Sequence, residues 1–202
     1  MSKLKIYGTS RSRASRVLWA ARELGVDFDL VEVNPRDGGN KAAEFLAINP
    51  NGRVPAIDDD GVRLFESVAI NLYLAKKHGA KGAAALYPTD AADEGRTVQW
   101  SIWAINELEG PLMTCMVERM FKPEADRNPA AAADAEERLK RPLKVLDDHL
   151  AAHTWLVADR FTIADLNVAS ALGSAGMAGV DLSAFANVTK WLAACNARPA
   201  AQ

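Results

Sequence analysis

Cysteine is scarce in this chain and poorly placed for redox work. Cys115 and Cys195 are the only two in 202 residues. There is no CxxC pair, which removes dithiol exchange. A one-cysteine oxidoreductase is excluded as well, because neither thiol lies at the start of the first helix. Both sit in apolar helical contexts and read as reduced, buried thiols. An excess of one charge is also lacking. The 24 basic and 26 acidic residues leave a formal net charge of -2, so no global field points to nucleic acid or an anionic membrane. No run approaches the ~18 apolar residues of a membrane-spanning helix. The opening "MSKLKIYG" lacks the apolar stretch of a secretory leader. The expectation is a cytoplasmic protein with no nucleic-acid or membrane partner. Asp58, Asp59 and Asp60 match no metal-ligand spacing; a hairpin turn accounts for them, and no metal is expected. What is present is ordinary globular composition, 49% hydrophobic and 25% charged, in a chain long enough for one core or two.

Strand patterns are confined to the first part of the chain. "LKIYG" is a strand ending on Gly8, and "SRASRVLWAAREL" is a helix by its Val17, Leu18, Ala21 and Leu24 spacing, stopped by Gly25. "FDLVEV" is the next strand and "NKAAEFLAI" a short helix. "VPAID-DDG-VRLFE" is a hairpin with Asp60-Gly61 at its tip. "SVAINLYLAKKHG" closes the series as a helix, with Lys76, Lys77 and His78 favourable at its negative end. The order is βαβαββα, with a parallel crossover first and an antiparallel pair last. Residues 80–90 read as a linker, so that 1–79 form an α/β domain and 91–202 an all-α domain. In the second part the long segment 91–121 is helical but interrupted around Gly110-Pro111. Leu139, Leu143, Leu146 and Leu150 form one helical stripe, with a kink expected at Pro142.

Three short stretches carry possible chemistry. "GTSRSRAS", residues 8 to 15, crowds Ser10, Ser12, Ser15, Arg11 and Arg13 at a strand-to-helix turn. Such a turn can hold an anion, although serine capping with solvated arginines accounts for it as well. Glu66-Ser67 ends a strand and begins a helix. Ser67 reads as the N-cap, the helix start suits a carboxylate, and Glu66 could hold an amine. An ordinary cap beside a surface glutamate is the plainer reading. In "FTIADLN", Thr162 and Asp165 are spaced as a capping box, with Phe161 and Leu166 as its hydrophobic staple.

In this order and frame the chain resembles a cytosolic glutathione transferase over its whole length. "NGRVPAI" is similar to that family's cis-proline loop, "FES" to its acidic-serine pair, and "FTIADL" to its buried capping box. The resemblance implies a thioredoxin-like domain followed by a helical one, with glutathione as co-substrate and no resident cofactor. It implies glutathione binding by Lys41, Arg53, Val54, Pro55, Glu66 and Ser67. If Val54–Pro55 is cis, the strand starts late and Val54's main chain is left to pair with the cysteinyl residue. It also implies a homodimer, α/β helix 67–78 against the partner's 93–107, and a small hydrophobic electrophile beside Trp103, Asn106, Glu107 and Met113.

The chemical task is thiol activation. A thiol with pKa ~8.5 is mostly protonated at neutral pH, while the thiolate is the nucleophile. A two-unit decrease needs ~2.7 kcal/mol of preferential thiolate stabilisation. Aligning "SRVLW" with the family's first helix puts Arg11 at the usual catalytic position and Ser12 next to it. A one-residue shift promotes Ser10 or Ser12. "RSRAS" resembles bacterial members with an arginine at this turn. Ser12 is taken as hydroxyl donor, Arg11 as electrostatic partner and Ser10 as the alternative; Tyr7 lies within the strand, before the turn. The function expected is conjugation or glutathione-dependent reduction of small electrophiles, in the manner of a detoxification enzyme. The alternative is a non-catalytic relative that binds glutathione or another ligand as an interaction module.

Overall fold

The computed structural model describes residues 3–79 and 85–202. These fall into two compact units, Met1–Tyr87 with Pro199–Gln202, and Pro88–Arg198. The start of the linker read at 80–90 lies outside the described residues. The tail 199–202, assigned to the helical part on sequence, groups with the first unit, where Arg22 Nη1 donates to the Gln202 carbonyl at 3.0 Å.

The first unit runs β1 (Leu4–Gly8), α1 (Ala14–Glu23), β2 (Phe28–Glu32), α2 (Ala43–Leu46), β3 (Ala56–Asp59), β4 (Val62–Phe65) and α3 (Ser67–His78). The sheet order is β2-β1-β3-β4; β1 is parallel to β2 and the other pairs are antiparallel. This is the thioredoxin-like order expected. Alternation along β1 sends Leu4 and Ile6 to one face, where they pack with Val17 and Leu18 of α1 and Ile70 and Leu74 of α3. Tyr7 goes to the other face, beside Val33, Phe45, Ala56 and Val54. Gly25, at φ 64, ends α1, and the Val26 N–H reaches back to the Ala21 carbonyl at 2.9 Å. That six-residue closure is why glycine stands there. The β3–β4 turn has Asp60 at φ 55 and Gly61 at φ 88, the left-handed pair that matches strand twist.

The second unit is helical: α4 (Ala91–Trp103), α5 (Gly110–Met116), α6 (Pro129–Ala152), α7 (Ile163–Leu172) and α8 (Ala186–Asn196). The interruption expected near Gly110-Pro111 takes the form of a π-helical segment, Ala104–Glu109, between α4 and α5. Pro111 has no N–H to give and its ring crowds the preceding turn, so a wider turn accommodates it. The helix α6 continues past Pro142 for ten more residues, to Ala152. Its Leu139, Leu143, Leu146 and Leu150 are all buried.

The helix α7 is buried on almost every side, and its start is fixed by Asp165. Oδ2 of Asp165 accepts from the Thr162 N–H at 2.9 Å and the Thr162 hydroxyl at 3.0 Å. Oδ1 accepts from the Leu156 N–H at 2.9 Å and Trp191 Nε1 at 3.0 Å. The capping box is therefore present, and it also ties α7 to the 153–157 turn and to α8. Burial pushes the Asp165 carboxyl up against the pull of these four donors. Asp147 of α6 caps α8 from outside, accepting from the Asn187 and Val188 N–H groups at 2.9 and 3.1 Å.

Trp100 is buried, edge-on to Trp103 at 5.0 Å and 4.9 Å from the His149 ring. Burial first, and then His153 stacked at 4.5 Å, hold His149 below its ordinary 6.5. A depressed histidine takes up fewer protons folded than unfolded. Its contribution is therefore complete above the unfolded value and is lost as pH falls below it. Stability should decline as pH falls from about 7 through the ordinary histidine value, and the decline should be shallower in His149→Gln. Urea unfolding midpoints across this range test it.

Candidate active site

Gly8 ends β1 at φ 145, and what surrounds it explains why no side chain fits. A Cβ there would lie 2.6 Å from Ala14 Cβ and 3.4 Å from both Ser12 Oγ and Val54 Cβ. The serine turn and the proline loop thus both pack against Gly8, at the carboxyl end of β1.

The turn is closed by the Ser12 N–H donating to the Thr9 carbonyl at 3.0 Å, which puts Ser10 and Arg11 at its tip. The Ser12 hydroxyl donates to the same carbonyl at 2.8 Å and accepts from the N–H groups of Thr9 at 3.3 Å and Ala14 at 3.2 Å. Ser12, not Arg13, therefore supplies the side-chain cap at the start of α1, where Arg13 makes no capping bond. Because the Thr9 carbonyl keeps the Ser12 N–H, the hydroxyl proton can turn to another acceptor without stranding it. Ser10 and Arg11 are exposed.

The Val54–Pro55 bond is cis and β3 begins at Ala56. Among the described residues neither the N–H nor the C=O of Val54 is hydrogen-bonded. The loop before it is fixed by two asparagines that sequence reasoning passed over. Buried Asn49 donates to the Arg53 carbonyl at 2.6 Å and accepts from the Asn51 N–H at 3.1 Å. Asn40 donates to the Gly52 carbonyl at 2.7 Å. At φ 59, Gly52 brings its α-carbon close to Lys41, whose Nζ would stand 3.1 Å from any added Cβ. Arg53 and Lys41 are both exposed.

At the start of α3 the structure corrects the expected cap. Ser67 is the first helical residue, and the capping position is Glu66, with φ 70 and ψ 112 and no side-chain capping bond. One residue joins β4 to α3, so the reversal falls on the backbone of Glu66 rather than on a loop. Non-glycine residues at such angles are uncommon and gather at functional sites. The first intrahelical bond is Ile70 N–H to the Glu66 carbonyl. The N–H groups of Ser67, Val68 and Ala69 have no partner among the described residues. Ser67 is buried and Glu66 exposed. The arrangement offers donors and a partial positive charge to an anion, with a carboxylate alongside.

Asp59 does more than lead into the hairpin turn expected for the Asp58–Asp60 run. It is buried, and its Oδ2 accepts from Lys77 Nζ at 2.8 Å and Tyr73 Oη at 3.0 Å, with His78 Nε2 at 3.3 Å. Burial pushes its carboxyl up, but the bonds from Lys77, His78 and Tyr73 outweigh this and hold it below the usual value. Lys77 and His78 serve this carboxylate in addition to the helix end.

The residues expected to face an electrophile lie on the helical unit. Trp103, half-buried, ends α4; Asn106 and Glu107 are exposed on the π-helical segment; Met113 is exposed on α5. Both cysteines are buried, and desolvation pushes the Cys115 thiol up, away from reactivity.

A thioredoxin-like unit with a cis-proline loop converging on a serine turn, followed by a helical unit, defines a class of glutathione-handling proteins. The comparisons agree. Residues 2–76 match the glutathione S-transferase N-terminal domain and residues 110–199 its C-terminal domain. Glutathione S-transferase 4 of Zea mays is 34% identical, covering 98% of this chain and 90% of the relative. Glutathione S-transferase 3 of the same plant is 35% identical, covering 100% and 93%. Among solved structures, the theta class glutathione S-transferase of Xanthomonas axonopodis pv. citri, with glutathione bound, superposes with a TM-score of 0.89. It is 31% identical, with 100% of this chain and 96% of that one covered. The chain belongs to the glutathione S-transferase family.

Proposed function

We infer that the protein is a glutathione transferase that activates the thiol of glutathione for attack on small electrophiles. The observation carrying this reading is that Ser12 Oγ and Val54 Cβ both lie against Gly8 at the carboxyl end of β1. A cysteinyl residue paired with the Val54 main chain would bring its sulfur to the Ser12 hydroxyl. The bare N–H groups at the start of α3 would take the γ-glutamyl carboxylate, and Glu66 its ammonium. Arg53 and Lys41, exposed beside that loop, would meet the remaining carboxylate. The enzyme names carried by relatives across nearly the full chain favour catalysis over a role in binding alone.

The first test is calorimetric titration with glutathione. Ser67→Ala should weaken binding by ~1–3 kcal/mol, the scale of a hydrogen bond to a charged group. Glu66→Gln should also weaken it, by loss of the amine contact. If both folded variants bind as the parent does, the head-group assignment is wrong.

The electrophile is small and hydrophobic and meets Trp103, Asn106, Glu107 and Met113; the setting is cytoplasmic and the role detoxifying. Among the described residues no helix is long and apolar enough to cross a membrane. The assembly is a homodimer, for which exposed Phe65, Ile102 and Ile105 offer apolar surface. Sedimentation at micromolar concentration should show a dimer, and a stable monomer would refute it.

A further inference from the structure

We propose that Asp59, remote from the reacting groups, is a positioning residue for the glutathione site. By tying the last turns of α3 to the end of β3, it sets where α3 begins and hence where Ser67 stands relative to Val54. The proposal rests on the glutathione reading of those two residues.

The geometry runs as two parallel rails. The pairing of Ala56 with Phe65 places the start of β3 beside the end of β4, from which α3 departs after one residue. The far ends of β3 and α3 meet again at Asp59, where Tyr73, Lys77 and His78 all address a single oxygen, Oδ2. One rail therefore carries Val54 just before its start and Asp59 at its end. The other carries Ser67 at its start and the three partners of Asp59 at its end.

The start of α3 is weakly fastened. Glu66, at the capping position, makes no side-chain capping bond and turns at φ 70, and the first three N–H groups of α3 are not bonded among the described residues. Between the ends, α3 is held by Ile70 and Leu74 packing under the sheet. Apolar contact is non-directional and fixes distance better than register. A carboxylate 4% exposed, with three directed partners, fixes register. A helix free to slide or rotate would carry Ser67 and its N–H groups away from the carboxylate they are to hold. Misplacement by about an ångström is enough to matter for such contacts.

The test is a double-mutant cycle on glutathione affinity, measured by calorimetry well below each variant's unfolding midpoint. Asp59→Ala should weaken glutathione binding about tenfold and raise KM for glutathione while leaving KM for the electrophile unchanged. In a Ser67→Ala background, the same change should weaken it by less than it does in the parent, because the part of its effect that passes through the Ser67 hydroxyl is already lost while the part that passes through the N–H groups remains. Should Asp59→Ala fail to fold, Tyr73→Phe and Lys77→Met, which each remove one partner, serve in its place and should shift affinity in the same direction. Additive losses in the cycle, or unchanged affinity in the Asp59, Tyr73 and Lys77 variants while Ser67→Ala loses it, would overturn the proposal. Parent-like binding by Ser67→Ala would instead overturn the glutathione site itself.

Discussion

Asp165→Ala should lower the unfolding free energy by about 3–5 kcal/mol, at the upper end of single-residue effects. The carboxylate is the acceptor for two main-chain N–H groups, a hydroxyl and an indole. Its removal leaves buried donors without an acceptor, each worth ~1–3 kcal/mol. The sum is less than additive because they share one group and the cavity can relax. In a chain of this length the midpoint should drop by roughly 8–15 °C. Asp165→Asn should recover part of the loss, since one oxygen remains. Glutathione affinity of the folded variant should be nearly that of the parent, because no residue assigned to the tripeptide bonds to Asp165. An unchanged midpoint would mean that the network contributes nothing, and a lost affinity would mean that the two units are coupled through it.

Ser12→Ala should raise the pKa of the bound glutathione thiol by about one to two units, from the loss of ~1.5–3 kcal/mol of hydrogen bonding to a thiolate. Turnover at slightly acid pH should fall ~10–100-fold in proportion to the thiolate lost. The hydroxyl has one proton, held by the Thr9 carbonyl at 2.8 Å in the free enzyme. Turning it to sulfur exchanges a neutral bond for a charge-assisted one, about twice as strong. The carbonyl keeps the Ser12 N–H throughout. Ser12→Thr, which retains the hydroxyl, should restore much of the shift. Arg11→Ala should raise the thiol pKa as well, by an amount that shrinks with added salt, since Arg11 is exposed. Thiolate absorbance against pH in each complex is the measurement. A shift confined to Ser10→Ala would assign the hydroxyl to the tip of the turn instead. No shift in any variant would remove thiol activation from this turn altogether.

Much of the frame was legible in the chain because it is encoded between near neighbours. The Asp60-Gly61 tip, the Gly25 stop and the Thr162–Asp165 box each involve residues within a few positions, where backbone angle and side-chain reach are set locally. The leucine stripe of α6 was legible for the same reason, as period follows from helix geometry. The Ser67 cap was misread by one position because the sequence does not reveal that Glu66 itself takes the reversal at φ 70.

What the amino-acid sequence determined by itself was the order of elements, the family's motifs and the short list Ser10, Arg11 and Ser12. The tertiary structure decided which groups meet. It brought Ser12 Oγ and Val54 Cβ together beside Gly8. It gave Asp165 partners at Leu156 and Trp191, and it turned Asp59 from a hairpin residue into the anchor of Tyr73, Lys77 and His78. These pairings join residues far apart in the chain. No local preference encodes them, because a hydrogen bond across such a separation exists only once sheet order and helix packing have fixed both ends.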